Sequence, residues 1–434
     1  MTRLSCAALT LGLLSACVDG SPPPRDPNAE PTNGGTITLA NCGYDVSTRV
    51  GASAPVMSTA FFGADPRPEQ VRLGIPADPA TTMAVAWRTA DETTLATTGQ
   101  FGKGTSLDQS QDGFTFIYVG GFNGSGETIR MHETHLCGLD PGTEYSYRVG
   151  GVGPGGEESW SPTYTFHTAP AASDTSAEVL VAVLGDSRDG YDVWQKLVDL
   201  IGQQSPDLIL FSGDAVTIGA VQVEWETFFS EAEPLFARAP VVSAHGNHDV
   251  NAINYYSQFV MPGNEEDFGI DYGPFHLTVL NDTPFDPGDI SGAARDFLDS
   301  DLTAHDSAPW KLLMHHRPIW SASTRHGSDT ELLDTWGPVI DAHKVDLVLN
   351  GHDHDYERSK PMRGSTPQAT AADGTVYIVS GGAGASLYGN GSDFWTEKSE
   401  KTHSALLLHI SRTMLQMQAI RDDGSELDSM ATSK

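Results

Sequence analysis

Positive charge is what this sequence has least of: 25 Lys and Arg stand against 57 Asp and Glu, a formal net charge of −32. The acidic residues are scattered rather than gathered in runs, and such a surface argues against binding nucleic acid or an anionic membrane. It also repels a phosphate-bearing substrate, except where metal ions or local Arg and His reverse the field. Long apolar runs are equally rare. Beyond the first residues, no stretch reaches the roughly 20 apolar residues that a membrane-spanning helix needs. Cysteine is scarce too: there are four, and two of them, Cys6 and Cys17, fall in the N-terminal segment. A chain of 434 residues with this make-up is expected to hold two folded globular domains plus appendages.

The first residues read as a targeting segment, to be set aside from fold reasoning. Arg3 supplies a positive start and "LSCAALTLGLL" an apolar core. Leu14-Ser15-Ala16-Cys17 resembles a bacterial lipobox. That resemblance implies a signal peptide over 1–16 and an acylated Cys17 as the first mature residue. The protein would then be exported and lipid-anchored to a bacterial membrane, in the cell envelope or periplasm or at the cell surface. An ordinary secretory signal cleaved nearby is the alternative. Residues 17–65 read as a tether and N-terminal extension, opening with "VDGSPPPRDPNAEPTNGG", a composition unable to build a core. An exported compartment permits disulfides. Cys42 and Cys137 are therefore expected to bridge, pinning the start of the ordered chain to the first domain; two free buried thiols are the alternative.

Residues 66–169 contain no apparent catalytic cluster. "MAVAW" and "EYSYRVGG" alternate apolar and polar residues, and "GLDPGTEY" marks a turn between strands. Several short strands broken by Gly-rich turns predict an all-β sandwich. The segments "PEQVRLG", "TMAVAWRT", "GLDPGTEYSYRVGG" and "WSPTYTFHT" resemble the fibronectin type III-like N-terminal domain of purple acid phosphatases. His132, His135 and His167 are read as surface or strand residues rather than ligands. "APAASDTSA" is the linker that follows.

From Asp186 onward the chain carries six short islands of a different kind. They are "GDSRDG" with Asp186, "FSGDAV" with Asp214, "HGNHD" with Asn247 and His248, "MHHRP" with His316, "GHDH" with His352 and His354, and finally His326, ten residues after His316. An apolar run precedes each of the first five: "VLVAVL", "DLILF", "PVVSA", "WKLLM" and "VDLVL". Buried strands of this type separated by helical stretches give an α/β sheet whose ligand crevice lies beyond the carboxyl ends of the strands. Two carboxylates, an amide and three imidazoles would then meet at one edge, which is the donor set of a two-metal site. Such a pair neutralises the charge of a phosphate ester, activates a water and clamps the attacking and leaving oxygens.

In order and spacing, these elements over residues 177–423 resemble the calcineurin-like metallophosphoesterase superfamily. "GHDHDYERS" and "HGSDTELLDTWGP" narrow the resemblance to its purple acid phosphatase-like branch. The family fold implied is α/β, a four-layer α/β/β/α sandwich preceded here by the fibronectin-like domain. Carried over residue by residue, the resemblance makes Asp214 the bridge between two ions. Asp186 and His354 complete the first site; Asn247, His316 and His352 complete the second. His248 becomes the general acid facing the leaving group, and His326 an imidazole at the substrate. Neighbouring strand residues point to opposite faces, so only one of His315 and His316 can ligate, and the following "RP" selects His316. His245, His276, His305, His343, His403 and His409 match no motif and are read as solvated or satisfied structural residues.

Two positions depart from the pattern. Purple acid phosphatases read GDxxY, with the Tyr a phenolate ligand of ferric iron; here Thr217 stands in its place. The wider superfamily often has D-x-H at the first motif; here Arg188 replaces the His, and a guanidinium does not bind metal. Arg188 could instead grip substrate phosphate, or merely pair with Asp189 or another carboxylate. The expected cofactors are thus two divalent ions, Fe, Zn or Mn. The expected activity is hydrolysis of small phosphate monoesters, with no nucleic-acid partner and membrane contact through the N-terminal lipid alone. A phosphodiesterase or nucleotidase on the same centre is the rival enzyme reading, and a non-catalytic surface lipoprotein the rival from another class.

Overall fold

The computed structural model describes residues 30–434 except Ser125. The expected signal peptide and Cys17 fall outside the described residues. Within the 17–65 stretch, expected as tether and extension, regular structure among the described residues begins at Gly35. Strands Gly35–Leu39 and Tyr44–Thr48 form an antiparallel hairpin, and Val56–Met57 adds an edge strand to the sandwich that follows. A disulfide joins Cys42, in the hairpin turn, to Cys137 at the end of strand Thr128–Cys137, closing 95 residues of sequence separation.

The first domain is a sandwich of two five-stranded sheets. One runs Val56–Met57, Phe114–Val119, Thr128–Cys137, Thr82–Thr89, Pro68–Gly74; the other is built on Glu144–Val152, flanked by Thr98–Lys103, Gln109–Asp112, Glu158–Trp160 and Tyr164–His167. Alternating residues of "MAVAW" explain the layering: Met83, Val85 and Trp87 enter the core with Phe101, Tyr145, Tyr147 and Phe166, as period-2 alternation requires. His132 and His135 lie on a strand but not at the surface; they are 0% and 3% exposed. The His132 ring stacks on Trp87 at 5.3 Å.

The second domain stacks two mixed sheets face to face. In the six-stranded sheet, Val241–Ser243, Leu208–Phe211 and Glu178–Leu184 run parallel, and three antiparallel strands, Ser404–Ser411, Met414–Arg421 and Glu426–Ser433, complete it. The fold thus continues through Ser433, beyond the 423 boundary expected, because polar Glu426–Ser433 is an edge strand with one exposed face. The seven-stranded sheet has order Phe268–Tyr272, Phe275–Val279, Trp310–Met314, Leu347–Asn350, Val376–Ser380, Tyr356–Ser359, Thr396–Glu400. Its strands alternate cleanly: Leu312, Leu347, Leu349 and Ile378 join the core shared with the other sheet. Leu313, Val348 and Tyr377 face a second core with Leu298, Trp336 and Ile340 of the covering helices. Helices Tyr191–Gly202 and Gln222–Phe236 cover the opposite side through Trp194, Leu197 and Phe228. The result is the expected four layers, α/β/β/α.

Candidate metal centre

Five parallel strands, three in one sheet and two in the other, end at the same rim. Each apolar run spends its length in the core, so the first polar residues after it emerge together at the carboxyl edge. Three of these residues sit in left-handed backbone: Asp186 at φ 59°, Asp214 at 58° and His352 at 69°. Such conformations persist where surrounding structure enforces them, and they cluster at functional sites. Glycine supplies the close approaches, since a Cβ at Gly246 would overlap Asp214 and one at Gly351 would overlap Asp186 Oδ2.

The imidazoles are oriented by their outward nitrogens. His316 Nδ1 donates to the Ser212 carbonyl at 2.7 Å and His354 Nδ1 to the Ser386 carbonyl at 2.9 Å. Their Nε2 atoms therefore point inward. His316 Nε2 meets Asp214 Oδ1 at 3.3 Å and Asn247 Oδ1 at 3.1 Å; His354 Nε2 meets Asp186 Oδ1 at 3.5 Å. Asn247 Oδ1 also lies 2.8 Å from His352 Nδ1. Asp186, Asp214 and His316 converge within 4.8 Å and are buried. Carboxylates, an amide oxygen and imidazole nitrogens gathered in a buried space call for positive charge, from a proton, a guanidinium or a metal ion. Burial opposes a proton on His316, yet the Asp214 carboxylate beside it pushes that group up to about 10. Burial, with the neighbouring His316, holds His352 down at about 2. The donors present fit the binding of metal ions.

His248 is fixed at both ends. Its backbone N–H donates to Asp214 Oδ1 at 2.8 Å, and its Nδ1 donates to the Thr217 carbonyl at 2.7 Å. Nε2 is thereby turned toward Asp214 Oδ2, 4.0 Å away. His326 lies exposed at the rim, its ring 4.2 Å from that of His352. His315 turns away from the cluster to Asp282, 3.0 Å off.

Arg188 reaches Asp189 only at 3.6 Å. Its guanidinium instead lies inside the cluster, Nε 3.5 Å from Asp214 Oδ2 and Nη2 3.3 Å from His354 Nε2. Thr217 is drawn off to Asp189, to which its hydroxyl donates at 2.6 Å. Sequence reasoning missed Tyr388. Its ring stacks on His354 at 4.0 Å, and its hydroxyl is 3.4 Å from Arg188 Nη2. It comes from the Gly-rich "ASLYGNGS" loop, where a lone aromatic carries no motif. Asp249 was missed as well: its carboxylate accepts from the backbone N–H groups of Asp214, Ala215 and Gly246 and ties two of the strand ends together.

Comparison with known proteins agrees with this architecture. Residues 179–356 match the family model described as calcineurin-like phosphoesterase, and residues 68–168 match that of the purple acid phosphatase N-terminal domain. Purple acid phosphatase 15 of Arabidopsis thaliana is 28% identical over 73% of this chain and 68% of its own length. A probable inactive purple acid phosphatase 1 of the same plant is 26% identical, over 59% of this chain and 49% of its own length. The chain thus spans between about half and two thirds of these curated relatives. Among solved structures, a purple acid phosphatase from yellow lupin (Lupinus luteus) seeds shares the fold with a TM-score of 0.73 at 19% identity, over 85% of this chain and 74% of that one. The chain thus contains a calcineurin-like phosphoesterase domain preceded by a purple acid phosphatase N-terminal domain.

Proposed function

We propose that this protein hydrolyses phosphate monoesters at a centre of two divalent metal ions, Fe, Zn or Mn. The observation that supports it most is the inward-facing Nε2 atoms of His316 and His354 against Asp186, Asp214 and Asn247. Asp214 would bridge the ions, Asp186 and His354 would hold the first, and Asn247, His316 and His352 the second. When bound, the pair neutralises phosphate charge and activates a water for in-line displacement. The side chains do the rest. His248 presents Nε2 to the leaving oxygen as general acid while the Thr217 carbonyl anchors Nδ1. His326, from the rim, contacts the phosphoryl group.

Arg188 supports an unequal pair. Its guanidinium lies against His354 Nε2 and Asp214 Oδ2, both first-site donors. An ion enters there only as the arginine swings outward, where it can grip substrate phosphate in bidentate fashion. The first site should therefore bind more weakly than the second, and activity should follow the weaker one. With Thr217 in place of a phenolate, the loaded protein should be colourless.

The test is metal analysis of the purified protein beside its turnover of an aryl phosphate and a bis-aryl phosphate. Two ions and faster turnover of the monoester support the reading. Faster turnover of the diester replaces it with a phosphodiesterase, and no turnover with metal bound replaces it with a binding protein. A purple colour, or two ions that resist chelator equally, overturns the account of the first site. Export with an acyl anchor at Cys17 belongs to the same proposal. Native protein should sediment with membranes and be released by Cys17→Ser in the precursor, and a wild type soluble after lysis would remove the anchor.

A further inference from the structure

A second convergence of imidazole and carboxylate lies away from the catalytic rim. Strand Phe275–Val279 runs toward the rim at its carboxyl end, where Asp282 holds His315; His276 sits near its opposite end. There Asp271, His276 and His305 bring their ligand atoms within 4.8 Å of one another. They come from the edge strand Phe268–Tyr272, the next strand, and the residue that caps the carboxyl end of helix Ala293–Ala304.

The outward nitrogens are again committed, here by a single residue. His276 Nε2 donates to the buried Asp301 carboxylate at 2.9 Å, and His305 Nδ1 donates to the Asp301 backbone carbonyl at 2.7 Å. The Asp301 carboxylate is itself held by Thr278 Oγ1 at 2.7 Å. That leaves His276 Nδ1, 2.8 Å from Asp271 Oδ1, and His305 Nε2, 3.7 Å from Asp271 Oδ2, facing one partly exposed carboxylate. The two rings are stacked at 3.7 Å and 9°, and both nitrogens face the one carboxylate. An imidazole whose far nitrogen is fixed by a carboxylate or carbonyl is the usual arrangement around a bound metal. Gly269 makes room, since a Cβ there would lie 3.0 Å from His276 Cε1 and overlap Asp301 Oδ1. The carboxyl end of a 12-residue helix adds a partial negative charge.

We propose that Asp271, His276 Nδ1 and His305 Nε2 form a binding site for one divalent cation of the zinc type, with a fourth position open to water. Two imidazoles and a carboxylate are donors suited to zinc. The ion would tie the end of helix Ala293–Ala304 to the edge strand of the seven-stranded sheet. The competing arrangement is a metal-free clamp in which His276 donates from both nitrogens. Burial opposes that extra proton, while hydrogen bonds to Asp271 and Asp301 favour it.

The experiment counts zinc. Full-length protein is equilibrated in chelator-buffered zinc and analysed for metal beside His305→Gln and Asp301→Asn. The wild type should hold one equivalent more than His305→Gln, with kcat on an aryl phosphate unchanged between them. Asp301→Asn should keep the equivalent at saturation but bind it about 10–100-fold more weakly. Zinc titrated into chelator-treated wild type should also raise the melting temperature by an increment that His305→Gln loses. Equal zinc content in wild type and His305→Gln overturns the proposal, as does a variant that loses the same increment in chelator alone. Should His305→Gln fail to fold, Asp271→Asn, whose side chain is largely exposed, is read by the same count.

Discussion

His132 and His316 are both wholly buried histidines on or just beyond a strand, yet their surroundings ask for opposite things. In the sandwich, His132 Nδ1 lies 2.8 Å from Thr97 Oγ1 and Nε2 3.1 Å from Thr89 Oγ1. Each hydroxyl can give or take a hydrogen, so a neutral imidazole is satisfied, and burial with Arg130 nearby holds it down at about 3. At the sheet rim, His316 has one nitrogen satisfied by a carbonyl and the other aimed at acceptors with no proton to offer. Burial is the same in the two places. What separates the two histidines is whether a neutral ring leaves donors and acceptors balanced around it.

That contrast can be broken experimentally. The largest effect belongs to Asp214→Ala, which should abolish turnover and metal uptake together; full metal occupancy in the variant would disprove a bridging role. Next comes His248→Ala, expected to cost about 10²–10⁴ in kcat on esters with poor leaving groups and much less on nitrophenyl esters, with metal content unchanged. Equal losses on both would remove it as the acid. Arg188→Ala should raise KM roughly 10- to 100-fold, the worth of charge-assisted hydrogen bonds of about 1.5–3 kcal/mol. It should also tighten the weaker metal, because the competing guanidinium is gone; a metal affinity that falls would show that Arg188 supports the site instead. The smallest effect sharpens the other half of the comparison. His132→Leu should cost about 1–3 kcal/mol of unfolding free energy, seen as a lower denaturant midpoint, and leave kcat and metal content at wild-type values.

The rim was legible from sequence because two signals coincide there. A short apolar run gives the strand, and the Asp, Asn or His just beyond it must surface at the carboxyl edge. Tyr388 carries no such mark: it reaches His354 through a loop whose path depends on tertiary packing. His276 and His305 were read singly as structural residues and Asp271 was not singled out, since a cluster assembled from an edge strand, its neighbour and a helix end has no local spacing. The hairpin Gly35–Leu39 with Tyr44–Thr48 was hidden by its Pro- and Gly-rich approach. Its order comes from Cys42–Cys137 and from Leu39, Ile37 and Tyr44 packing on Phe114 and Phe116, contacts with partners some 70 or more residues away that composition does not encode. Arg188 was identified as a departure, but only the fold shows it pressed against His354 rather than paired with Asp189 alone.

The left-handed backbone at Asp186, Asp214 and His352 sets up a conflict between endurance and use. A residue with a Cβ held there gives up stability, on the order of 1 kcal/mol, that glycine would not. A screen that rewarded thermal tolerance alone would therefore favour glycine at these three positions, and each gain would delete one of the donors proposed to hold metal. On that proposal, selection for catalysis keeps side chains in a conformation the folded chain would otherwise surrender.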